Sequence, residues 1–576
     1  MKLLTLTLKA RTAVHVGSGL GNNTTDALIR RDAIGRPIIP GTAIAGALRT
    51  TLTRLAPRLT GTACKALMSN DNSCPCAVCQ LMGDVNPSDE DEAESLSNAS
   101  RLLVSNATLN NNSNSTVIRD GVGIDRATRA AARATHAKFN LEALPAHTTF
   151  MARLELRSDS QDDERLLAAG LAEWSAGRAW LGGNVARGLG AFSVEVATMD
   201  LNVDTADGLI AFLKADDPWQ QGERDQEWLS TQIKSIMADK IIPVTDLDQV
   251  TPYVARRWIK IEGILQAEGA LLTNDTTNAA LLGFDHAPLL PQTDDWKNPV
   301  LAGSGLRGVL RSHAERIART IATLQAPEND PESWFKSHCP ACNPLANQKM
   351  PLTNCDKLLS SDNQLEEVSK QHLCLACWLF GSTRRGSRLL VEDAPYDAEA
   401  AGGKPTFKMH DFLAIDRFTG GGADKLKFDA LALWKPAFKL NLFLENPESW
   451  ELGWLALVLR DMQAGWLSVG MGAAKGFGRV RLEGLTTTLG YLDEQDVGEL
   501  KLAHDGKRTN SIYFEMPVDL MAGNSWVQAF HSEVNEFERS EAEDGKNNLP
   551  VMTTDTYFRE VNGQAVYQLY PRKVTL

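Results

Sequence analysis

Apolar and polar residues alternate along the first stretch of the chain, MKLLTLTLKARTAVHV, the period of two expected of a half-buried β-strand. A glycine-rich polar loop, GSGLGNNTTD, follows and carries one acid, Asp26, into a short apolar run, a Pro40-Gly41 turn and a segment of helical period. Ile44, Leu48, Leu52 and Leu55 share one face of that segment, with Thr42 as the expected N-cap and Arg49, Arg54 and Arg58 on the remaining, solvated surface. Further along, HTTFMARLELR alternates like a strand and LLAAGLAEWSAGRAWL reads as a buried helix. GGNVARGLGAFSVEV is a glycine-rich turn entering a strand.

The succession then returns. YVARRWIKIEGILQ is a second strand, Asp285 precedes an apolar run, Gly303 opens a helix, and Arg311 stands where Arg49 stood. LNLFLE, the helix LGWLALVLRDMQAGWL and the loop GMGAAKGFGRVRLE complete the second cycle. From Cys79 to Asp125 is 46 residues and from Cys377 to Asp416 is 39, whereas the turn-to-cysteine interval is longer in the second copy, which carries an insertion there. Units of this size indicate duplication of a whole domain rather than a solenoid. The reading divides the chain at 1–200, an acidic, partly helical linker 201–252, 253–486, and a C-terminal extension 487–576. The last could dock on a neighbouring subunit or complete the second sheet.

Nine cysteines lie in two groups, and such grouping argues for metal rather than disulfides in a reducing compartment. Cys64, Cys74, Cys76 and Cys79 make one tetrahedral zinc set. In the second copy two CxxC pairs, Cys339, Cys342, Cys374 and Cys377, make the simplest set and leave Cys355 free. These closed sites predict structural zinc, two ions per chain.

The formal net charge of −13 gives no global sign of nucleic-acid binding, but the acids sit in separate runs and leave room for local basic surfaces. Arg119, Arg126, Arg129, Arg133, His136 and Lys138 crowd one short segment, which suits a phosphate-facing finger better than a solvated hairpin. Arg187 and Lys475, each just before a GxG in a glycine loop, suit phosphate cradling, since glycines admit backbone N–H groups to an anion. Arg49 and Arg311, on the two helices, are the next candidate phosphate contacts. No apolar run is long enough to cross a membrane, so a cytosolic protein is expected.

These motifs together, HVGSGLGNNTTD with PIIPGTAIAGALR, CxxCQLMG and CLACWLFG, IDRATRAA and IDRFTGGG, and the two glycine loops, resemble the RAMP superfamily. Within it, the chain is similar to the backbone subunits (the Cas-seven family) of type III CRISPR effector complexes, in the fused double form of III-D-like systems. The resemblance implies an α+β fold: two tandem ferredoxin-like or RRM domains, each with a thumb β-hairpin and a zinc-binding insertion. It places the thumbs around 125–138 and 416–427, bringing Arg417 and Lys425 into the RNA-binding set. It implies guide RNA and single-stranded target RNA as partners, together with a large signalling subunit, other RAMP subunits and a small subunit in a prokaryotic cytoplasm. Asp26 matches the family's cleaving aspartate, Asp285 is its counterpart with Asp275 as the rival, and a divalent cation such as Mg2+ would assist cleavage. A non-catalytic guide-RNA filament subunit is the alternative.

Overall fold

Strand Lys2–Ala10 buries Leu4, Leu6 and Leu8 and pairs antiparallel with Thr149–Leu156 on one side and Ala191–Asp200 on the other. Leu102–Val104 extends the sheet beyond Thr149–Leu156. The second half repeats the arrangement: Arg257–Ala267 lies between Ala437–Glu445 and Val480–Tyr491, with Leu389–Val391 outside. Numbering these four strands along each half, both sheets run 4-1-3-2, with a helix after the first and third strands. That is the βαββαβ order of an RRM-like fold. The computed structural model describes residues 2–64, 74–84, 98–110, 115–126, 130–131, 138–200, 205–216, 224–239, 241–247, 253–291, 297–324, 338–345, 354–358, 372–508 and 511–538.

In the first half, helices Gly41–Thr60 and Gln161–Ser175 cover one sheet face, and Ile44, Leu48, Leu52, Leu167 and Leu171 close a core over the strand leucines. Gly170 permits their close crossing, because a Cβ there would lie 2.5 Å from Leu52 Cδ2. Helices Gly303–Thr323 and Ser449–Gln463 do the same in the second half with Leu306, Leu310, Leu455 and Leu459. Thr42 is not the cap of its helix. The helix begins at Gly41, whose N–H donates to Asn106 Oδ1 at 2.8 Å, and Gly303 N–H donates to Asp393 Oδ1 at 2.8 Å. A side chain from the neighbouring strand end thus takes an orphan donor that a local hydroxyl would otherwise satisfy.

Two regions read as appendages are partly built into the domains. Helix Trp228–Ala238, inside the expected linker, buries Trp228, Ile233 and Ile236, and Trp228 donates to Glu164 of helix Gln161–Ser175. Strand Phe514–Pro517 adds to Val480–Tyr491, which itself runs past residue 486, and helix Asn524–Glu536 stacks Phe530 on Trp454 at 5.0 Å. The piece VYQLYPRKVTL lies outside the described residues. Among the described residues no helix is long and apolar enough to cross a membrane.

The two halves meet along a seam whose charges are sorted. Arg11, Arg54, Arg58, Arg119 and Arg126 come from the first half, and they pair with Glu392, Glu445, Asp493 and Asp496, Asp393 and Glu315 of the second. Arg58, expected on a solvated face, is fully buried, with Nη1 2.9 Å from Asp496 and further bonds to the Ile242 and Ala255 carbonyls. Apolar contact reinforces the seam, with Trp180 and Phe443 rings 4.8 Å apart and Arg178 over Trp258 at 4.7 Å.

Candidate active site and RNA interface

Each half carries a long hairpin beside its sheet, Val117–Val122 with Lys138–Ala143 and Phe407–Ile415 with Gly422–Trp434. The acid-bearing loop runs along the second strand of its hairpin, pairing Ala27 with Leu141 in one half and His286 with Ala430 in the other, both parallel. This register places the two acids alike. Asp26 N–H donates to Asn140 Oδ1 and Asn140 N–H donates to Asp26 Oδ2, each at 2.8 Å. Asp285 N–H donates to Asp429 Oδ1 and Asp429 N–H donates to Asp285 Oδ2, each at 2.9 Å. Both acids are exposed, so this reciprocal latch fixes the carboxylate while leaving its other oxygen toward solvent.

Asp275, the rival, is placed differently. It is buried at the start of helix Thr276–Leu282 and accepts from the Thr277 and Asn278 N–H groups and from the Asn278 side-chain amide, as an N-cap does. Asp285 is therefore the positional counterpart of Asp26. The latch partners Asn140 and Asp429 escaped the sequence reading, although the shared Lys-Phe-Asn/Asp of KFNL and KFDA marks them.

The glycine loops sit beside the same hairpins. Arg187, in the turn Val185–Arg187, lies 5.9 Å from the Phe139 ring centre, and Lys475, in Ala473–Lys475, lies 4.3 Å from that of Phe428. Phe139 and Phe428 directly precede the latch residues. Phe412 stacks on Phe428 at 4.6 Å, so the second site has a wider aromatic floor under its cation. Lys138, Arg417 and Lys425 are exposed on the hairpins; Arg129, Arg133 and His136 lie outside the described residues.

Other arginines expected on RNA are committed within the protein. Arg126 Nε donates to buried Glu315 at 2.7 Å, tying the first hairpin to the second half. Arg49 donates to Cys79 Sγ at 3.1 Å and the Gly83 carbonyl at 2.8 Å. Its counterpart Arg311 is buried and donates to Cys377 Sγ, Glu315 and the Gly381 carbonyl. Both guanidiniums serve the cysteine groups, where they offset sulfur charge. Arg307, not singled out by pattern, stands between the halves. Burial first, then the positive charges of Arg311, Arg187 and Arg126, bring its pKa down to about 9. Its Nε is buried without a hydrogen-bond partner among the described residues. A cation cluster of this kind suits an anion such as a backbone phosphate.

The thiols gather in two sets whose sulfurs lie within 4.8 Å of one another: Cys64, Cys74, Cys76, Cys79, and Cys342, Cys355, Cys374, Cys377. The second set corrects the expected one. Cys355 takes a corner and Cys339 does not, its Sγ donating to the Ala341 carbonyl at 3.3 Å. Cys355 reaches the cluster because helix Cys355–Leu358 returns over it, a fold-back that two CxxC spacings cannot reveal. Sulfur–sulfur separations of 3.6 Å for Cys64–Cys79, and of 3.5 and 3.9 Å from Cys342 to Cys377 and Cys355, fit the edges of about 3.8 Å that tetrahedral zinc with bonds of about 2.3 Å requires. Cys76 and Cys374 each cap the short helix that follows, accepting from the N–H of Cys79 and Cys377. Both sets fit structural zinc, with no open coordination position for chemistry.

The sequence model of the RAMP superfamily matches residues 7–193 and 286–481. The second match starts after strand Arg257–Ala267, which the sheet order supplies as the first strand of that half. No curated protein matches the chain. With two matched regions and the same strand order in each, the chain belongs to the RAMP superfamily and carries its domain twice.

Proposed function

We propose that this chain is a guide-RNA-binding backbone subunit of a type III CRISPR effector complex and that it cleaves guide-paired target RNA at two regularly spaced positions, one per half. The observation that carries this reading is the duplicated latch, an exposed carboxylate held against a hairpin in the same register by Asn140 and Asp429. RNA needs no external nucleophile, because its 2′-OH attacks the adjacent phosphate once the two are in line, so positioning supplies most of the catalysis. The hairpins act as thumbs that part the guide–target duplex and turn out one nucleotide. Asp26 or Asp285 holds or deprotonates the 2′-OH of that nucleotide through its unlatched oxygen, and Arg187 or Lys475 neutralises a neighbouring phosphate. Those unlatched carboxylate oxygens would also hold a divalent cation such as Mg2+, which supplies charge stabilisation at the phosphate. The guide backbone passes the seam, where Arg307 and Arg187 offer their charge.

The second reading is a filament subunit that binds target without cutting. It is favoured by the structural use of each acid, whose Oδ2 already holds the hairpin. Cleavage assays on a guide-matched RNA separate the two. Asp26→Ala should remove one product, Asp285→Ala a different one, and RNA binding should persist in both. A product ladder unchanged by either substitution leaves the filament reading.

A further inference from the structure

The first hairpin is tied to the second half at two levels. Near its root, Arg119 donates to Asp393 at 2.8 Å, and the Thr276 hydroxyl and N–H both donate to Asp120. Toward its tip, past Val122, the chain turns on itself with the Asp125 N–H on the Ala130 carbonyl at 2.9 Å. That turn reaches the second cysteine group by two routes. Asn343, buried and directly after the ligand Cys342, donates to Asp125 Oδ2 at 2.9 Å. Arg126 donates to one oxygen of Glu315 at 2.7 Å, Arg311 donates to the other at 2.8 Å, and Arg311 also donates to Cys377 Sγ at 3.3 Å. Arg319 closes the network, 3.5 Å from Glu315 and bonded to the Ala341 and Cys342 carbonyls at 2.8 and 2.9 Å.

Charge makes this network depend on the metal. Glu315 is fully buried, and the guanidiniums of Arg126, Arg311 and Arg319 converge on its one carboxylate, an excess of two positive charges. Four thiolates around one Zn2+ carry two negative charges, so the loaded cluster balances that excess and four neutral thiols do not. When the metal leaves, the thiols regain protons and Arg311 loses the charge it faces. Leaving a buried charge uncompensated is costly, so the arginines must rearrange, and Arg126 moves with them because it shares Glu315 with Arg311. The first cysteine group is built differently. Arg49 donates to Cys79 there, but four residues on Thr53 takes the place that Glu315 holds after Arg311.

We propose that the zinc site of the second half positions the tip of the first half's hairpin, so that metal occupancy in one half is coupled to hairpin geometry in the other. Asn343 and Glu315 are the positioning residues. The root contacts at Asp393 and Thr276 do not pass through the cluster, so the coupling is confined to the tip. It is a property of the protein alone and stands whether or not either acid cuts RNA.

Coupling between sites is reciprocal, so a change at the tip must alter the hold on the zinc. Chelator competition on the purified full chain, read as zinc released, tests this directly. In Arg126→Ala one of the two ions should be held about fivefold less tightly and the other as in the wild type. A Cys76→Ser background, which keeps only the second site, should show the weakened ion. Hydrogen exchange reads the converse: Cys355→Ser should speed exchange of the Asp125 amide about fivefold and Cys76→Ser should not, with the Asn140 amide unchanged in both. The chelator titration decides the matter if Cys355→Ser does not fold. Both ions held as in the wild type by Arg126→Ala, or both weakened alike, would overturn the proposal. So would an unchanged Asp125 amide in folded Cys355→Ser.

Discussion

At the scale of single residues, Asp26 and Asp285 each combine a structural bond with an oxygen left to solvent, and the two roles can be separated. Asparagine at position 26 keeps an oxygen that accepts the Asn140 N–H but loses the charge; alanine loses both. Hydrogen exchange should therefore show the Asn140 amide of Asp26→Asn near its wild-type rate. In Asp26→Ala it should exchange roughly fivefold faster, the effect of about 1 kcal/mol for one net hydrogen bond. Equal rates in both variants would mean that the latch contributes nothing to the loop's position. The loop position of Asp26 was legible from an acid after glycines, but which of Asp285 and Asp275 occupies the matching position was not. It turns on which acid pairs with the hairpin strand and which caps a helix, and both look alike in a polar loop.

At the scale of elements, the order of strands, helices, cysteine insert and hairpin could be read because the chain states it twice, so each weak local signal was checked by its copy. What could not be read are contacts made by segments that fold back. Cys355 joins its cluster through a short helix, whereas the CxxC spacing pointed to Cys339. The zinc prediction follows from this difference. Metal analysis should find two zinc ions per chain, Cys355→Ser should lose one of them to a chelator, and Cys339→Ser should retain both. Retention in Cys355→Ser with loss in Cys339→Ser would reverse the ligand assignment. The same short helices explain why Arg49 and Arg311 turned from expected RNA contacts into partners of Cys79 and Cys377: sulfur charge lies within their reach.

At the scale of the whole molecule, the halves are joined by arginines of one and acids of the other, which a sequence-separated reading took for surface charge. Arg58 is the clearest case, since Asp493 and Asp496 lie more than four hundred residues away. Burial raises the pKa of Asp496 to about 6, against the pull of Arg58. An acid whose folded pKa exceeds its unfolded value costs stability once pH rises through the folded value, and protonation below it removes that cost. Arg58→Ala should therefore lower unfolding stability by about 3 kcal/mol near pH 8, where Asp496 is charged and keeps only Arg256, at 3.4 Å, as an arginine partner. The loss should be smaller at pH 5. A loss that does not shrink on acidification would contradict this account of the seam.

The central claim is that the two halves present equivalent acids to RNA. The most direct measurement is target cleavage and target binding by the guide-loaded assembly containing Asp26→Asn/Asp285→Asn, in which each latch is retained and each charge removed. The account predicts target affinity unchanged and the two cuts assigned to this chain absent. Both cuts persisting at wild-type rates, with the chain folded and the target bound, would contradict it.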